Sequence, residues 1–151
     1  MPEFTSHMDR ALTEAQAAAE RGETPVGAVV VAPDGAVLAA AGNRVRAATD
    51  PSAHAEMLAL RAAARAAGSE RLTGCDLYVT LEPCPMCAGA ISLARIRRLY
   101  YGAADPKSGG VDHGARVFAH PTCHHAPEVY GGIAEAECAA LLRQFFRERR
   151  D

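Results

Sequence analysis

The sequence predicts a three-layer α/β/α sandwich around a mixed central sheet, and three observations carry that reading. Short β-rich runs alternate with helical patterns along the chain, which puts helices on both faces of one sheet. One pair of strands is joined by a tight Asp-Gly turn and reads as an antiparallel hairpin, while the later strands are separated by helices. The 151 residues, 49% of them hydrophobic, supply one core, with no internal repeat or low-complexity linker to divide it.

Each element has a local cause. Asp9 to Arg21 is rich in Ala with Leu12 and stops at Gly22, the pattern of a helix with a glycine end. Val26 to Ala32 is β-rich, Pro33-Asp34-Gly35 is a turn, and Ala36 to Ala41 resumes as a second strand. Thr49-Asp50-Pro51 breaks the chain, and a helix follows from about Ala53 to Ala67, closed by Gly68. Asp76 to Leu81 (DLYVTL) reads as a short buried strand, a third helix runs from Pro85 to before Arg97, and Arg98 to Gly102 (RLYYG) is a strand again. Asp105 to Gly110 is a loop, and residues 111 to 131 are rich in His, Gly and Pro without a clear period. Ala134 to Arg149 is a last helix, with Cys138, Leu141, Leu142, Phe145 and Phe146 as its apolar stripe.

Composition excludes several classes. No apolar run approaches the roughly 18 residues of a membrane span, and the N-terminus lacks a signal-peptide pattern. Met1 to His7 (MPEFTSH) reads as a cloning remnant before a second start at Met8, leaving residues 8–151 as one domain. Five cysteines, an odd number, fit a reducing compartment better than a disulfide framework, so the expected location is cytoplasmic. A net charge of −2 gives no global attraction to polyanions, so any such binding needs a local patch. Arg95, Arg97 and Arg98 form one candidate; Arg143, Arg147, Arg149 and Arg150 form another, with Arg143, Arg147 and Arg150 on one helical face. Taken alone, that face is either a solvated surface complementing the helix dipole or a ridge for phosphates.

Chemistry concentrates at His54-Ala55-Glu56 and, 26 residues on, Pro83-Cys84-Pro85-Met86-Cys87. This is the H-x-E…P-C-x-x-C pattern of zinc nucleobase deaminases. Cys84 and Cys87, at i and i+3, fall on one face of a helix's first turn, where both sulfurs reach one metal. Pro85 suits the first helical position because its missing N–H would be unpaired there. The helix N-terminus favours both thiolates. With His54 they make three ligands for Zn²⁺, one per chain, leaving the fourth tetrahedral position open as in catalytic sites. Two helix N-termini facing a cation are unfavourable, and the thiolate charges offset this. Glu56 is then the adjacent proton acceptor and donor.

A C-x-x-C alone serves structural zinc and redox sites equally well, and H-x-E alone says little. Their joint order, with the flanking prolines, points to catalysis. A structural site would need a fourth ligand, for which Cys75 or Cys123 are available; Cys75, Cys123 and Cys138 read more simply as small buried hydrophobes or bystanders. His113, His120, His124 and His125 match no tight metal spacing and read as a surface loop or a contact to substrate phosphates or bases.

Specific stretches carry a resemblance: Thr24 to Gly27 (TPVG), Gly42-Asn43-Arg44, Asp50 to Met57 (DPSAHAEM), Leu77 to Ala90 (LYVTLEPCPMCAGA), Ala94-Arg95-Ile96 with Tyr101-Gly102-Ala103, Asp105-Pro106-Lys107, and Glu137 to Arg150 (ECAALLRQFFRERR). Over nearly all of Met8 to Arg150 the chain resembles the bacterial tRNA-specific adenosine deaminase family, in the cytidine/deoxycytidylate deaminase superfamily. The resemblance implies a cytidine deaminase-like fold and a zinc hydrolase that converts the wobble adenosine of a tRNA anticodon to inosine, releasing ammonia. It implies that Glu56 moves protons between water, the base and the departing amine. By the same resemblance Asn43 hydrogen-bonds the base, Ala55 offers a backbone contact, and Val26, Leu81 and Pro83 wall the pocket. Asp105 and Lys107 would contact the flanking nucleotides, and Arg143, Arg147 and Arg150 the anticodon-stem phosphates. It further implies a homodimer. Pro121 to Val129 (PTCHHAPEV) departs from the family in lacking its Asn-His-Arg run, and Lys107 is the only lysine, so arginine carries the basic role.

Two other functions use the same zinc residues. A deaminase of free guanine or of a nucleoside needs no basic face, whereas a non-catalytic zinc module needs no Glu56. Given the metal motif, the Arg143/Arg147/Arg150 ridge favours a polynucleotide.

Overall fold

Strand β1 (Gly27–Val31) is buried along its whole length because it is flanked on both edges and covered on both faces. The computed structural model describes residues 6–149. On one edge β1 pairs antiparallel with β2 (Val37–Gly42), completing the expected hairpin, and on the other with β3 (Asp76–Leu81). Strands β4 (Arg98–Ala103) and β5 (Glu128–Tyr130) continue the sheet in parallel, giving the order β2-β1-β3-β4-β5. The sheet is mixed, as the sequence predicts.

Alternation of side chains assigns each strand residue to one of two cores. Ala28 and Val30 of β1, Leu77 and Val79 of β3, and Leu99 and Tyr101 of β4 meet helices α2 (Ala55–Ala67) and α3 (Pro85–Ala94). Val29, Val31, Tyr78 and Tyr100 face the other way, toward α1 (Met8–Glu20) and α4 (Glu135–Glu148). Each fully buried Val, Leu or Ile contributes about 1.5–3 kcal/mol. On the α1/α4 face the rings of Tyr78, Tyr100 and Tyr130 stack across three neighbouring strands, with centroids 4.5 and 5.2 Å apart. His7 meets the edge of Tyr78, so the last residue before Met8 also touches this core.

Small residues let α1 approach the sheet: Ala11, Ala15 and Ala18 are fully buried, and a Cβ on Gly27 would lie 1.9 Å from the Ala11 carbonyl oxygen. Helix α2 begins at Ala55, slightly later than expected, with His54 in extended backbone as its cap. It ends where Gly68 turns left-handed at φ 67°, a conformation glycine adopts without strain.

Two sequence expectations are corrected. The segment from 111 to 131 is not wholly irregular: a 3₁₀ turn forms at Val117–Ala119, and Glu128–Tyr130 becomes the edge strand β5. Its three residues are too few for a period, and pairing with β4 holds them, reinforced by a 2.6 Å ion pair between Arg98 and Glu128. In α4, Cys138, Leu142 and Phe145 face the core, but Phe146 is 50% exposed. One residue on from Phe145 is about 100° around the helix, so Phe146 only packs edge-on against the Phe145 ring. Among the described residues no helix is long and apolar enough to cross a membrane.

Candidate active site

The N-termini of α2 and α3 meet at one end of the sheet. His54 caps α2, Cys84 caps α3 at the end of β3, and Cys87 lies in the first turn of α3 behind Pro85. His54 Nδ1 stands 3.6 Å from each of the Cys84 and Cys87 sulfurs, and the three donor atoms lie within 4.8 Å of one another. A tetrahedral Zn²⁺ with bonds of ~2.1 Å to nitrogen and ~2.3 Å to sulfur separates those donors by ~3.6 Å. Two thiols and an imidazole at that spacing fit one Zn²⁺ per chain. Cys75, Cys123 and Cys138 stand outside the cluster, and no fourth protein ligand completes it among the described residues.

The electrostatics suit the same use. A hydrogen bond from Cys87 holds the Cys84 thiol down to about 4 against the cost of burial, with His54 helping. The same bond, with burial, pushes Cys87 up, and hydrogen bonding to Cys84 raises His54. Glu56, only 4% exposed in the first turn of α2, is pushed up to about 7, chiefly by burial and further by the Cys84 charge. A carboxyl with that proton affinity can both accept and return a proton near neutral pH.

A cavity of about 430 Å³ opens over these groups, within the roughly 300–1,000 Å³ range of small-ligand sites. Val26, Asn43, His54, Glu56, Leu81, Cys84 and Asp105 line it, which brings together most of the sequence-predicted site. Ala55 and Pro83 are buried behind the wall, Lys107 is exposed outside it, and Arg143 and Arg147 lie on the outer surface of α4. Arg150 lies outside the described residues. Asn43 Oδ1 accepts the Ala55 N–H at 2.8 Å, so Ala55 acts on the cavity through Asn43, whose Nδ2 hydrogens remain to meet a ligand. Arg21 in turn donates to the Asn43 carbonyl at 3.1 Å.

Sequence reasoning missed Thr24, Val45, Arg46, Ser108, Phe145 and Arg149, which also line the cavity. Arg149 stood in the terminal arginine run, and here its guanidinium covers the Phe145 ring at 3.6 Å from the centroid. Arg46 is held by a fold-level device that the sequence conceals. The buried Glu23 carboxylate accepts the backbone N–H groups of Arg46 at 3.1 Å and Ala47 at 2.8 Å. Burial raises the Glu23 carboxyl, but the Ala47 and Arg46 N–H groups and two nearby guanidinium charges outweigh it and leave the group below its ordinary value.

The remaining candidates resolve differently. Arg97 forks onto Asp76 with two 3.0 Å bonds and Arg98 pairs with Glu128, which neutralises two members of the Arg95/Arg97/Arg98 patch. His120 and His125 bond the carbonyl oxygens of Ala115 and Ile96, and His113 bonds Glu82, so these three histidines are tied to protein acceptors.

A cavity floored by a His/Cys/Cys cluster and a buried carboxyl at the ends of a mixed sheet defines a zinc-dependent nucleobase deaminase. The cytidine and deoxycytidylate deaminase zinc-binding region matches residues 1–103. The chain is similar to the tRNA-specific adenosine deaminase of Agrobacterium fabrum, 62% identical over 150 residues, spanning 99% of this chain and 98% of the relative. It is 44% identical to that of Bacillus subtilis over 95% of this chain and 89% of the relative. A solved structure from studies of A-to-I editing by tRNA:A34 deaminases at the wobble position superposes with a TM-score of 0.87. It is 61% identical, over 89% of this chain and 97% of that one. The chain belongs to the tRNA-specific adenosine deaminases, within the zinc-binding cytidine and deoxycytidylate deaminase family.

Proposed function

We propose that this chain hydrolyses the wobble adenosine of a tRNA anticodon to inosine and releases ammonia. The observation that carries the reading is the buried Glu56 carboxyl in the cavity lining, beside the His54/Cys84/Cys87 cluster. His54, Cys84 and Cys87 would hold Zn²⁺, which would supply the Lewis acidity that makes water a nucleophile near neutral pH. The Glu56 carboxylate takes the proton of the attacking water as oxygen adds to C6 of the extruded base. It delivers that proton to the ring nitrogen, then takes the proton of the new C6 hydroxyl and carries it to the amine, which leaves as ammonia as the C6–N bond breaks and the C6 carbonyl forms. Asn43 Nδ2 donates to an acceptor on the base, and its Oδ1 fixes that orientation through Ala55. Val26 and Leu81 give the base an apolar slot, and Asp105 lies at the rim toward the flanking nucleotides.

Arg143 and Arg147 are exposed and pair with no carboxylate among the described residues, which supports a phosphate-facing role, extended by Arg150. Lys107 serves the flanking nucleotides from outside the cavity. Residues 8–151 act as one catalytic domain. The exposed Leu93 (74%) lines a groove of about 400 Å³ together with Val117 and Cys123, Met86 is exposed on the same helix α3, and this is the surface we assign to a homodimer. Five free cysteines and a tRNA substrate support a cytoplasmic enzyme.

The test is inosine and ammonia formation from an anticodon stem-loop with adenosine at the wobble position, with free adenosine, adenine and guanine alongside. The stem-loop alone should turn over. Glu56→Ala should retain one zinc per chain and lose at least about 10²–10⁴-fold in rate. Turnover of free guanine in place of the stem-loop would transfer the site to small-molecule chemistry.

A further inference from the structure

Glu82 borders the cavity but belongs to neither the metal cluster nor the proton path, and its side chain is fully shielded from solvent at the end of β3. Five donors converge on it. Oε1 accepts the Asp105 backbone N–H at 3.0 Å and the His113 ring at 2.7 Å. Oε2 accepts the consecutive backbone N–H groups of Val111, Asp112 and His113 at 3.2, 2.9 and 3.0 Å. Successive N–H groups turned toward one anion form a concave nest that favours negative charge, here filled by the protein's own carboxylate.

The rest of the loop is shaped to the same centre. A Cβ on Gly109 would lie 2.6 Å from Glu82 Oε2, and one on Gly110 2.6 Å from the Pro85 nitrogen. Gly110 N–H donates to the Pro83 carbonyl at 2.8 Å, one residue before Cys84. Asp105, whose carboxylate caps the N–H groups of Lys107 and Ser108, and Ser108 itself line the cavity along with Asn43. One buried carboxylate thus joins the turn that carries Cys84 to the wall of the substrate cavity.

We propose that Glu82 is a positioning residue for substrate recognition, holding the 105–113 loop against the Cys84 turn so that Asp105, Lys107 and Ser108 meet the nucleotides beside the reacting base. This inference rests on the polynucleotide reading above. Through the loop, Glu82 sets affinity for the stem-loop more than the rate of the chemical step, because His54 and Glu56 are positioned by α2 and Cys84 and Cys87 by α3.

Glu82→Gln keeps the size of the side chain and turns an NH₂ group toward N–H donors. Zinc content, kcat and KM on the stem-loop would be measured together with amide hydrogen exchange. The expected result is a KM raised about tenfold or more, kcat within about threefold of wild type, one zinc per chain, and faster exchange confined to 105–113. His113→Ala removes only the bond from the half-exposed ring and should raise KM about fivefold; it decides the matter if Glu82→Gln does not fold. A KM raised by less than about threefold, or a loss confined to kcat, zinc content or melting temperature, would overturn the proposal. If the wild-type chain leaves the stem-loop unreacted, the functional reading falls instead, and unchanged exchange across 105–113 in Glu82→Gln would then overturn the role of Glu82 separately.

Discussion

Replacing Asn43 separates two jobs that one amide performs. Its Oδ1 accepts the N–H of Ala55, the first residue of α2, and both residues are buried. In Asn43→Ala that N–H loses its partner inside the protein, at a cost of about 1–3 kcal/mol. For a chain of this size the melting temperature falls ~2–4 °C per kcal/mol, so a drop of about 2–12 °C is expected. The missing Nδ2 donor removes a bond to the base of comparable size, a further loss of roughly 5- to 150-fold in kcat/KM. Asn43→Asp should behave differently. It retains an oxygen for Ala55 and adds negative charge at the start of α2, where the helix dipole favours it, yet it offers an acceptor where the base needs a donor. Calorimetry and stem-loop kinetics on both variants provide the assay. Asn43→Ala should lose stability and activity, whereas Asn43→Asp should lose activity alone. Wild-type turnover by Asn43→Asp, or an unchanged melting temperature for Asn43→Ala, would refute the division of labour.

Acid sensitivity should follow Glu23. Its folded-state value lies below the ordinary one; its contribution is therefore complete above the unfolded value of ~4.3 and is lost as pH falls through the lowered folded value. Glu23→Gln should flatten the fall in melting temperature below about pH 5, and an unaltered acid limb would remove Glu23 from the account. On the outer face of α4, Arg143→Ala combined with Arg147→Ala should weaken stem-loop affinity and reduce the slope of log K against log salt by up to ~1.4–1.8 for two phosphate contacts. Binding measured at several salt concentrations decides this, since an unchanged slope would leave both arginines as solvated surface.

The metal cluster was legible because its geometry is local. Two cysteines at i and i+3 behind a proline reach one point through a single helical turn, and His54 needed only to cap a second helix at the same sheet end. The alternation of β-rich runs with helical patterns likewise placed helices on both faces of one sheet. Other features depend on partners distant in sequence. The donors to Glu82 lie 23 to 31 residues downstream, and four of them are backbone groups that no side-chain pattern announces. Strand β5 exists because β4 offers it an edge. The terminal arginines were visible as a run, but the turn that brings Arg149 over Phe145 toward the cavity is a property of how α4 lies on the sheet.

The stack of Tyr78, Tyr100 and Tyr130 also fixes how this protein can be watched. The chain has four tyrosines and no tryptophan. Its ultraviolet emission therefore comes from phenol rings alone. Three of them share the α1/α4 side of the sheet, and the fourth, Tyr101, faces the opposite side and donates to Asp112. Excitation at the red edge of protein absorbance meets a dark background. A single indole placed at Val45, on the cavity wall, would be the sole emitter there and would report arrival of the nucleotide in real time.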